Sequence, residues 1–513
     1  MRRYFLLFFL IQNFVIINQL PAQQIQTLTY EDAINIALKK SYTIKSYLEN
    51  KIAMQQYYYY SKADFKPRLD FNLFTPSWNE NVIQVQKPDS LPVNNSYGEM
   101  RYDGGLQFTY MLPTGGNFAL SSRMYRNDIK NVFVPQGQKD YVTLRAREAH
   151  TSLSISFNQP IFTTNILREG LNKAKYRYEQ SSSRFTRGQM DIIYMVTRGF
   201  YFLYRATRQV EIADEKLKNS EEAYRIGKLK GEAGRIPEGD VLIAEVAAAQ
   251  DKANLSEAIG SLEREEDDFK QLIGLDLNEK IQILTDLKYD TFAIDLDKAI
   301  EEALKNRLEI NESELDIKIQ KIEVDRAKRE REFSGNISAY YDITGVSTLG
   351  KGPTRELFES SFENFIDRPP NRGIILSFSY PIFDWGRGSA IVQAEKANLR
   401  RSELDLEDTK ITIIRQVRDV VRSVEEAKNR LKINEKNQEV AQRSYEISRM
   451  RFENGDITSQ ELGVEQERLA TTQLNYLDAF ITYQLALADL KRKTLWDFQN
   501  NRSYLKDEYL SEK

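Results

Sequence analysis

The stretch Ser156-Phe157-Asn158-Gln159-Pro160-Ile161-Phe162 returns, with two changes, as Ser377-Phe378-Ser379-Tyr380-Pro381-Ile382-Phe383. The second copy lies 221 positions after the first. Further along, Tyr224, Ile226, Glu232, Gly234 and Ile236 return as Tyr445, Ile447, Glu453, Gly455 and Ile457, again 221 positions later. A constant spacing over that distance implies a rigid element of fixed length between the two anchors, so the chain is built from two copies of one unit.

The openings of the units match as well. Ala33, Ile34, Ala37 and Leu38 face Ala299, Ile300, Ala303 and Leu304, now 266 positions apart. The first copy therefore carries about 45 extra residues before its Pro-Ile-Phe anchor. They fall between Ser77 and Thr151, in a stretch rich in Asn, Gly, Pro and Tyr. The expected organisation is an export signal over 1–22, a first repeat over 23–285, a second over 286–500 and a polar tail over 501–513. The first repeat contains an extra hairpin or loop region at 78–150.

Each unit opens with a helical pattern, Glu31 to Lys66 and Leu296 to Phe333. Alternating stretches follow. Leu69, Phe71 and Leu73 alternate with Asp70 and Asn72, and Leu153, Ile155 and Phe157 with Ser154 and Ser156. In the second unit, Ile337, Ala339, Tyr341 and Ile343 form one such stretch, and Leu376, Phe378 and Tyr380 another. Period two with one apolar and one polar face is the signature of a strand, and the polar face suits a wet lumen. From Phe162 to Ala233, and from Gly386 to Asn454, the pattern is helical. At 1.5 Å per residue each run spans roughly 100 Å, a length that calls for a strut or a tube wall. Shorter helical runs return over Ile236 to Ile273 and Ile457 to Leu495, with a strand-like stretch at Ile281 to Leu284. Small residues crowd the first of these at Ala244, Ala247, Ala248, Ala249 and Ala253.

Composition narrows the function. Arg2 and Arg3, the apolar run Tyr4 to Ile17 and Ala22 read as an export signal, although Leu20 is large for its place before the cut. The chain has no cysteine and one histidine, His150. Thiol chemistry is excluded, and multi-histidine metal sites with it. Formal charge is -3, from 72 basic and 75 acidic residues, which offers no footprint for nucleic acid. No cofactor is expected. No stretch after the signal approaches the length of a membrane-crossing helix, so insertion must be by strands. Two strands per unit make four per chain. Four cannot close on themselves, and lipid forbids open edges, so several chains must share one barrel. The extra segment reads as a hairpin, Leu106 to Leu112 and Asn117 to Arg126 around Pro113-Thr114-Gly115-Gly116. It either raises the count to six strands or lies over the outer mouth; the second placement is the one expected.

Leu28-Thr29-Tyr30-Glu31-Asp32-Ala33 with Ala37-Leu38, the junction Pro381-Ile382-Phe383-Asp384-Trp385-Gly386-Arg387, and Gly234 to Asp240-Val241-Leu242 resemble the TolC-like outer-membrane efflux and secretion channels. Pro160-Ile161-Phe162-Thr163-Thr164-Asn165 and Gly455 to Glu461-Leu462 are looser copies. The resemblance implies a mainly α fold: a long coiled-coil-like helical barrel, with strands shared by three chains in a twelve-stranded outer-membrane barrel. It implies a homotrimer, a periplasmic adaptor and an inner-membrane RND or ABC pump as partners, and no catalysis. It puts the turns at Gly234 and Gly455 at the periplasmic tips and Asp240 and Glu461 at acidic gate positions. Val464 stands where some relatives have a second acid, with Glu465 beside it. Pro160, Pro381, Asp384 and Gly386 mark the strand-to-helix junctions.

Plainer readings stand beside these. Asp240 and Glu461 each follow a helix-starting turn, where an acid also complements the helix dipole, and this reading carries more weight than gating. Gly345 to Gly350-Lys351 approaches a phosphate loop, but Gly352 and Pro353 follow, so an outer loop is expected. Tyr57 to Tyr60 fits an interfacial aromatic belt or ordinary helix packing. Glu263 to Asp268 is read as a solvated helix face and His150 as a plain strand or loop residue. A periplasmic coiled-coil spacer without a channel is the alternative function, and the alternating strands count against it. An exported enzyme lacks a convergent catalytic set.

Overall fold

The structure is a computed structural model that describes residues 26–86, 91–135, 138–284, 289, 292–348 and 352–504. The expected export signal, Gly350-Lys351 and the end of the polar tail lie outside the described residues. In chain order the elements are β1 (Gln26–Leu28), α1 (Tyr30–Lys40), α2 (Tyr42–Ala63), β2 (Arg68–Val85), β3 (Val93–Met111), β4 (Asn117–Phe133), β5 (Val142–Ile161), α3 (Ile166–Glu232) and α4 (Glu238–Ile273). The second repeat follows with β6 (Ile281–Ile283), α5 (Leu296–Asn306), α6 (Leu308–Arg329), β7 (Ser334–Thr348), α7 (Thr354–Asp367), β8 (Asn371–Ser379), α8 (Arg387–Asn454) and α9 (Ser459–Thr494). Two short strands, β9 (Trp496–Asp497) and β10 (Arg502–Ser503), close the described chain.

The chain divides into two compact units. One comprises Met1–Lys51, Ser181–Glu312 and Leu406–Lys513; the other comprises Ile52–Gln180 and Ser313–Asp405. Each draws on both repeats. The first unit is helical, and its core shows the repeat in three dimensions. Ala33 and Ala37 are fully buried in one cluster with Ile192 and Val196. Ala299 and Ala303 are fully buried in another with Ile413 and Val417, the residues 221 positions after Ile192 and Val196. The backbones of α1 and α5 come closest to the returning helices α4 and α9, and alanine at these positions leaves room for the larger Ile and Val side chains of the long helices to pack against them. β1 pairs in parallel with β6, Gln26 opposite Ile281.

The sequence pattern predicts one continuous opening helix in each repeat, over Glu31 to Lys66 and Leu296 to Phe333, and the structure corrects this. Each breaks after 11 residues, at Ser41 and at Arg307. In each repeat the end of the returning helix meets the break. A Cβ on Gly274, the left-handed C-cap of α4, would come within 2.6 Å of the Lys40 carbonyl oxygen. Arg307 donates to the carbonyl of Lys493 at 3.2 Å, at the end of α9. The helix yields where another helix end presses on it.

The second unit holds a six-stranded sheet in the order β2-β3-β4-β5-β7-β8, antiparallel throughout. This corrects the expected placement of the extra segment. Its hairpin does not lie over a mouth; it supplies β3 and β4 to the sheet itself, and six strands form rather than four. The register gives the sheet two distinct faces. One row across the sheet reads Leu69, Phe108, Leu120, Ile155 and Tyr341 and ends on Arg372 of β8; the next on the same face reads Phe71, Leu106, Ser122, Leu153 and Ile343. The residues between them, Asp70, Gln107, Ser121, Ser154 and Asp342, face the other way. On that polar face Asp103 is buried between Arg101 at 3.0 Å and Arg123 at 2.8 Å, and His150 in β5 stacks on Tyr125 with centroids 4.3 Å apart.

Gly345 is a residue of β7, not part of an outer phosphate-loop-like turn. It is glycine because α7 packs on it: a Cβ there would lie 2.0 Å from the Ser361 carbonyl oxygen. The Ser361 hydroxyl, fully buried, donates to the Gly345 carbonyl at 3.0 Å, and Asn364 accepts from the Val346 N–H at 2.9 Å. Tyr57, Tyr59 and Tyr60 of the tyrosine run are exposed, while Tyr58 stacks on Tyr178. Gly345→Val is expected to lever α7 off the sheet at a cost of about 1–3 kcal/mol or more. A lower unfolding temperature and new trypsin cleavage at Arg355 or Arg368 would register it; an unchanged melt with no new cleavage would contradict the packing.

Candidate functional site

The two helix turns singled out by the repeat have one geometry. Gly234 and Gly455 take φ of +68° and +91°, a region glycine enters without steric cost. In the first turn the N–H of Arg235 reaches the carbonyl of Lys230 at 2.8 Å; in the second, that of Asp456 reaches Arg451 at 2.9 Å. Both are helix C-caps in which a left-handed glycine lets the chain reverse while satisfying helix-end carbonyls. A Cβ on either glycine would meet nothing within 4 Å, so backbone conformation and not space selects the residue.

Beyond the turns the copies diverge. At the start of α9, Thr458 is an N-cap and Glu461 completes a capping box. The Glu461 carboxylate accepts from the Thr458 N–H at 2.8 Å and from its hydroxyl at 3.1 Å. These bonds, the backbone one first, hold the Glu461 carboxyl below the ordinary glutamate range. Thr458-x-x-Glu461 is the sequence signature of this box. Glu465 is also engaged: it accepts from Ser444 at 2.9 Å and pairs with Arg468 at 2.9 Å. At the start of α4 the N-cap is Pro237, which has no side-chain acceptor. Asp240 there makes no side-chain hydrogen bond or ion pair among the described residues. Of the three acids, it alone has an uncommitted carboxylate among the described residues.

A residue that sequence reasoning missed ties the turns together. Lys230 Nζ donates to the carbonyls of Phe452 at 2.6 Å and Glu453 at 3.3 Å, and sits 4.8 Å from the Phe452 ring centroid. A cation from the end of α3 thus caps the C-terminus of α8, where the helix dipole is negative. Phe452 is buried with Tyr445, Leu462 and Leu469 beneath it.

At the strand-to-helix junctions, Asp384 accepts from the N–H groups of Gly388 at 2.7 Å and Gly386 at 2.9 Å. Those two backbone donors lower its pKa. Trp385 and Gly386 both take positive φ, which turns the chain from β8 into α8. Pro381 follows β8, whereas Pro160 is still within β5, opposite Asn336. In the first copy Asn165 takes the cap role, accepting from the Arg168 N–H at 3.0 Å. Its amide also donates to the Pro113 carbonyl at 2.8 Å, so the first junction holds the turn of the extra hairpin as well. Among the described residues no group of metal-ligating side chains gathers, and no helix is long and apolar enough to cross a membrane.

Thr458→Ala should destabilise the second turn by about 1 kcal/mol, read as faster amide exchange over 452–462. The Glu461 contribution has a defined sign in pH. Because its folded pKa is depressed, the protection is complete above the ordinary glutamate range and is lost as pH falls through the folded value. Glu461→Gln should flatten that acid-side dependence while keeping the cap; an unaltered pH profile in the variant would contradict the assignment.

The outer membrane efflux protein family model matches residues 117–275 and 299–494. No curated protein sequence matches the chain. Among solved structures, the outer membrane channel CmeC of Campylobacter jejuni is similar at a TM-score of 0.65 and 15% identity, covering 91% of this chain and 85% of that one. The open state of the MtrE outer membrane channel of Neisseria gonorrhoeae gives 0.63 and 14%, covering 91% and 88%. The outer membrane protein VceC of Vibrio cholerae gives 0.61 and 14%, covering 91% and 95%. At such identities these likenesses carry the fold, helical portion and membrane sheet together, while the family match carries the class. That class is a channel and not an enzyme, and its place is the outer membrane. Matched over both repeats, the chain belongs to the outer membrane efflux protein family.

Proposed function

We propose that the chain is the passive exit duct of a tripartite efflux pump or type I secretion system, assembled as a homotrimer. It would receive substrate from a periplasmic adaptor and an inner-membrane RND or ABC pump. One observation carries the reading: the helix-side half of the sheet has an apolar band on one face and polar residues on the other, and the sheet has two edges, β2 and β8, that no strand of the chain pairs among the described residues. A sheet of this kind is stable in lipid only when further copies close it. The helices support the same association. Along α8, Leu404 and Ile411 are exposed seven residues apart, as are Ile433, Val440 and Ile447, a heptad stripe of the kind a second helix covers. A periplasmic spacer without a channel has no use for the sheet.

The turns at Gly234 and Gly455 are read as the periplasmic tips, and Asp240 as their acidic gate residue. Glu461 and Glu465 serve the tip's own structure. Outer-membrane fractions should yield a heat-modifiable trimer that conducts ions in a planar bilayer, and a monomeric, non-conducting product would sink the proposal. Asp240→Ala should weaken block by multivalent cations applied at the periplasmic side several-fold, whereas Glu465→Ala should leave it within twofold. Equal block in wild type and Asp240→Ala would remove Asp240 from the gate.

A further inference from the structure

The extra hairpin changes the size of the exit. We propose that β3 and β4 are membrane wall, so that three copies of six strands close an eighteen-stranded barrel, with β8 of one copy paired to β2 of the next. This rests on the trimeric reading above. Barrel diameter grows roughly linearly with strand number, so the bore would be about half again as wide as the twelve strands of a four-strand protomer give.

Three observations carry it. First, the hairpin has the faces of a wall strand. Phe108, Leu106 and Leu120 continue the apolar rows of β2 and β5, and Gln107 and Ser121 continue the polar ones. A cap standing in water would need no such band. Second, the hairpin turn is built into the helix-side rim. Besides the Asn165 bond, Thr114 donates to Gln159 at 2.6 Å, and a Cβ on Gly116 would meet the Asn158 carbonyl oxygen at 2.7 Å.

Third, the register has the stagger of a closed barrel. The row through Arg68, the helix-side end of β2, runs by way of Thr109, Ala119, Ser156 and Tyr340 to Gly373. The helix-side end of β8 is Ser379, six residues further on. At about 3.3 Å per residue and 4.8 Å between strands, six residues of slip over six strand spacings tilt the strands by about 35°. Closed barrels tilt by roughly 35–45°. Levelling the rims sets Arg68 opposite Ser379 of the next copy and Asp70 opposite Ser377, which agree in face as well as height. β8 has 9 residues against 18 in β2, so this pairing covers only the helix-side half of β2. The irregularity between Phe74 and Ser77 falls where that half ends.

The chain has no cysteine, so single and paired cysteines can be placed at will. Cysteines at 106, 108 and 120 should resist a membrane-impermeant maleimide in intact cells, while those at 107, 109 and 121 should react at least tenfold faster. Asp70→Cys combined with Ser377→Cys should give a covalent trimer ladder on oxidation. Labelling without alternation in a variant that still forms the heat-modifiable trimer would overturn the wall assignment and leave the exit-duct reading standing. Alternation without a ladder, also absent when cysteine 377 is moved to 375 or 379, would overturn the β2–β8 closure. A native mass other than three chains would sink the trimer and the strand total together, while the labelling pattern still reports where the hairpin lies.

Discussion

Lipid offers no partner to a backbone N–H or C=O, and that lack governs the rest of this molecule. Inside the sheet every strand finds two neighbours, and the edges β2 and β8 find one each. In water an unpaired edge costs little, because solvent binds it. In hydrocarbon each unsatisfied group costs several kcal/mol, and several such groups along an edge exceed the whole net stability of a typical domain. On the proposed reading, the chain has a stable membrane form only in company with copies of itself. The alternation of Leu69, Phe71 and Leu73 with Asp70 and Asn72 is the same constraint written on the side chains.

The helical unit solves a different problem. Long helices cannot bury a compact core, so they pack along seams. The pairs Ala33 and Ala37 on Ile192 and Val196, and Ala299 and Ala303 on Ile413 and Val417, are one seam made twice. The long helices are nearly equal, 67 and 68 residues, so junction and turn are separated by almost the same length of chain in both repeats. The insertions that distinguish the copies sit where they do not disturb that length: the hairpin before the first junction, and α7 between β7 and β8.

The turns at Gly234 and Gly455 show how one fold position can hold one residue class in two different settings. Asp240 and Glu461 are equivalent by repeat, and both stand in the first turn of a returning helix. Thr458 gives Glu461 two donors and fixes it in a capping box. Pro237 gives Asp240 none from its side chain, so the same position in the first copy has no capping box. Lys230 adds a tie between the turns, so the turn of one repeat is held by the other and the pair is a single structural element.

Sequence alone determined the repeat, the extent of the long helices, the strands common to both copies and the glycines at the turns. These follow from local periodicity and from backbone freedom, which are written residue by residue. Tertiary structure decided the remainder. It broke the opening helices at Ser41 and Arg307, because helix ends distant in sequence press on them there. It brought Lys230 to the carbonyls of Phe452 and Glu453, 222 and 223 positions away, a contact no local pattern encodes. It put the extra segment into the sheet. The alternation of Phe108, Leu106 and Leu120 was legible, but whether that hairpin paired with β2 and β5 or stood apart depended on register. Register is set by the neighbours of a strand and by the Asn165 and Gln159 bonds that seat its turn, and no strand carries that information by itself.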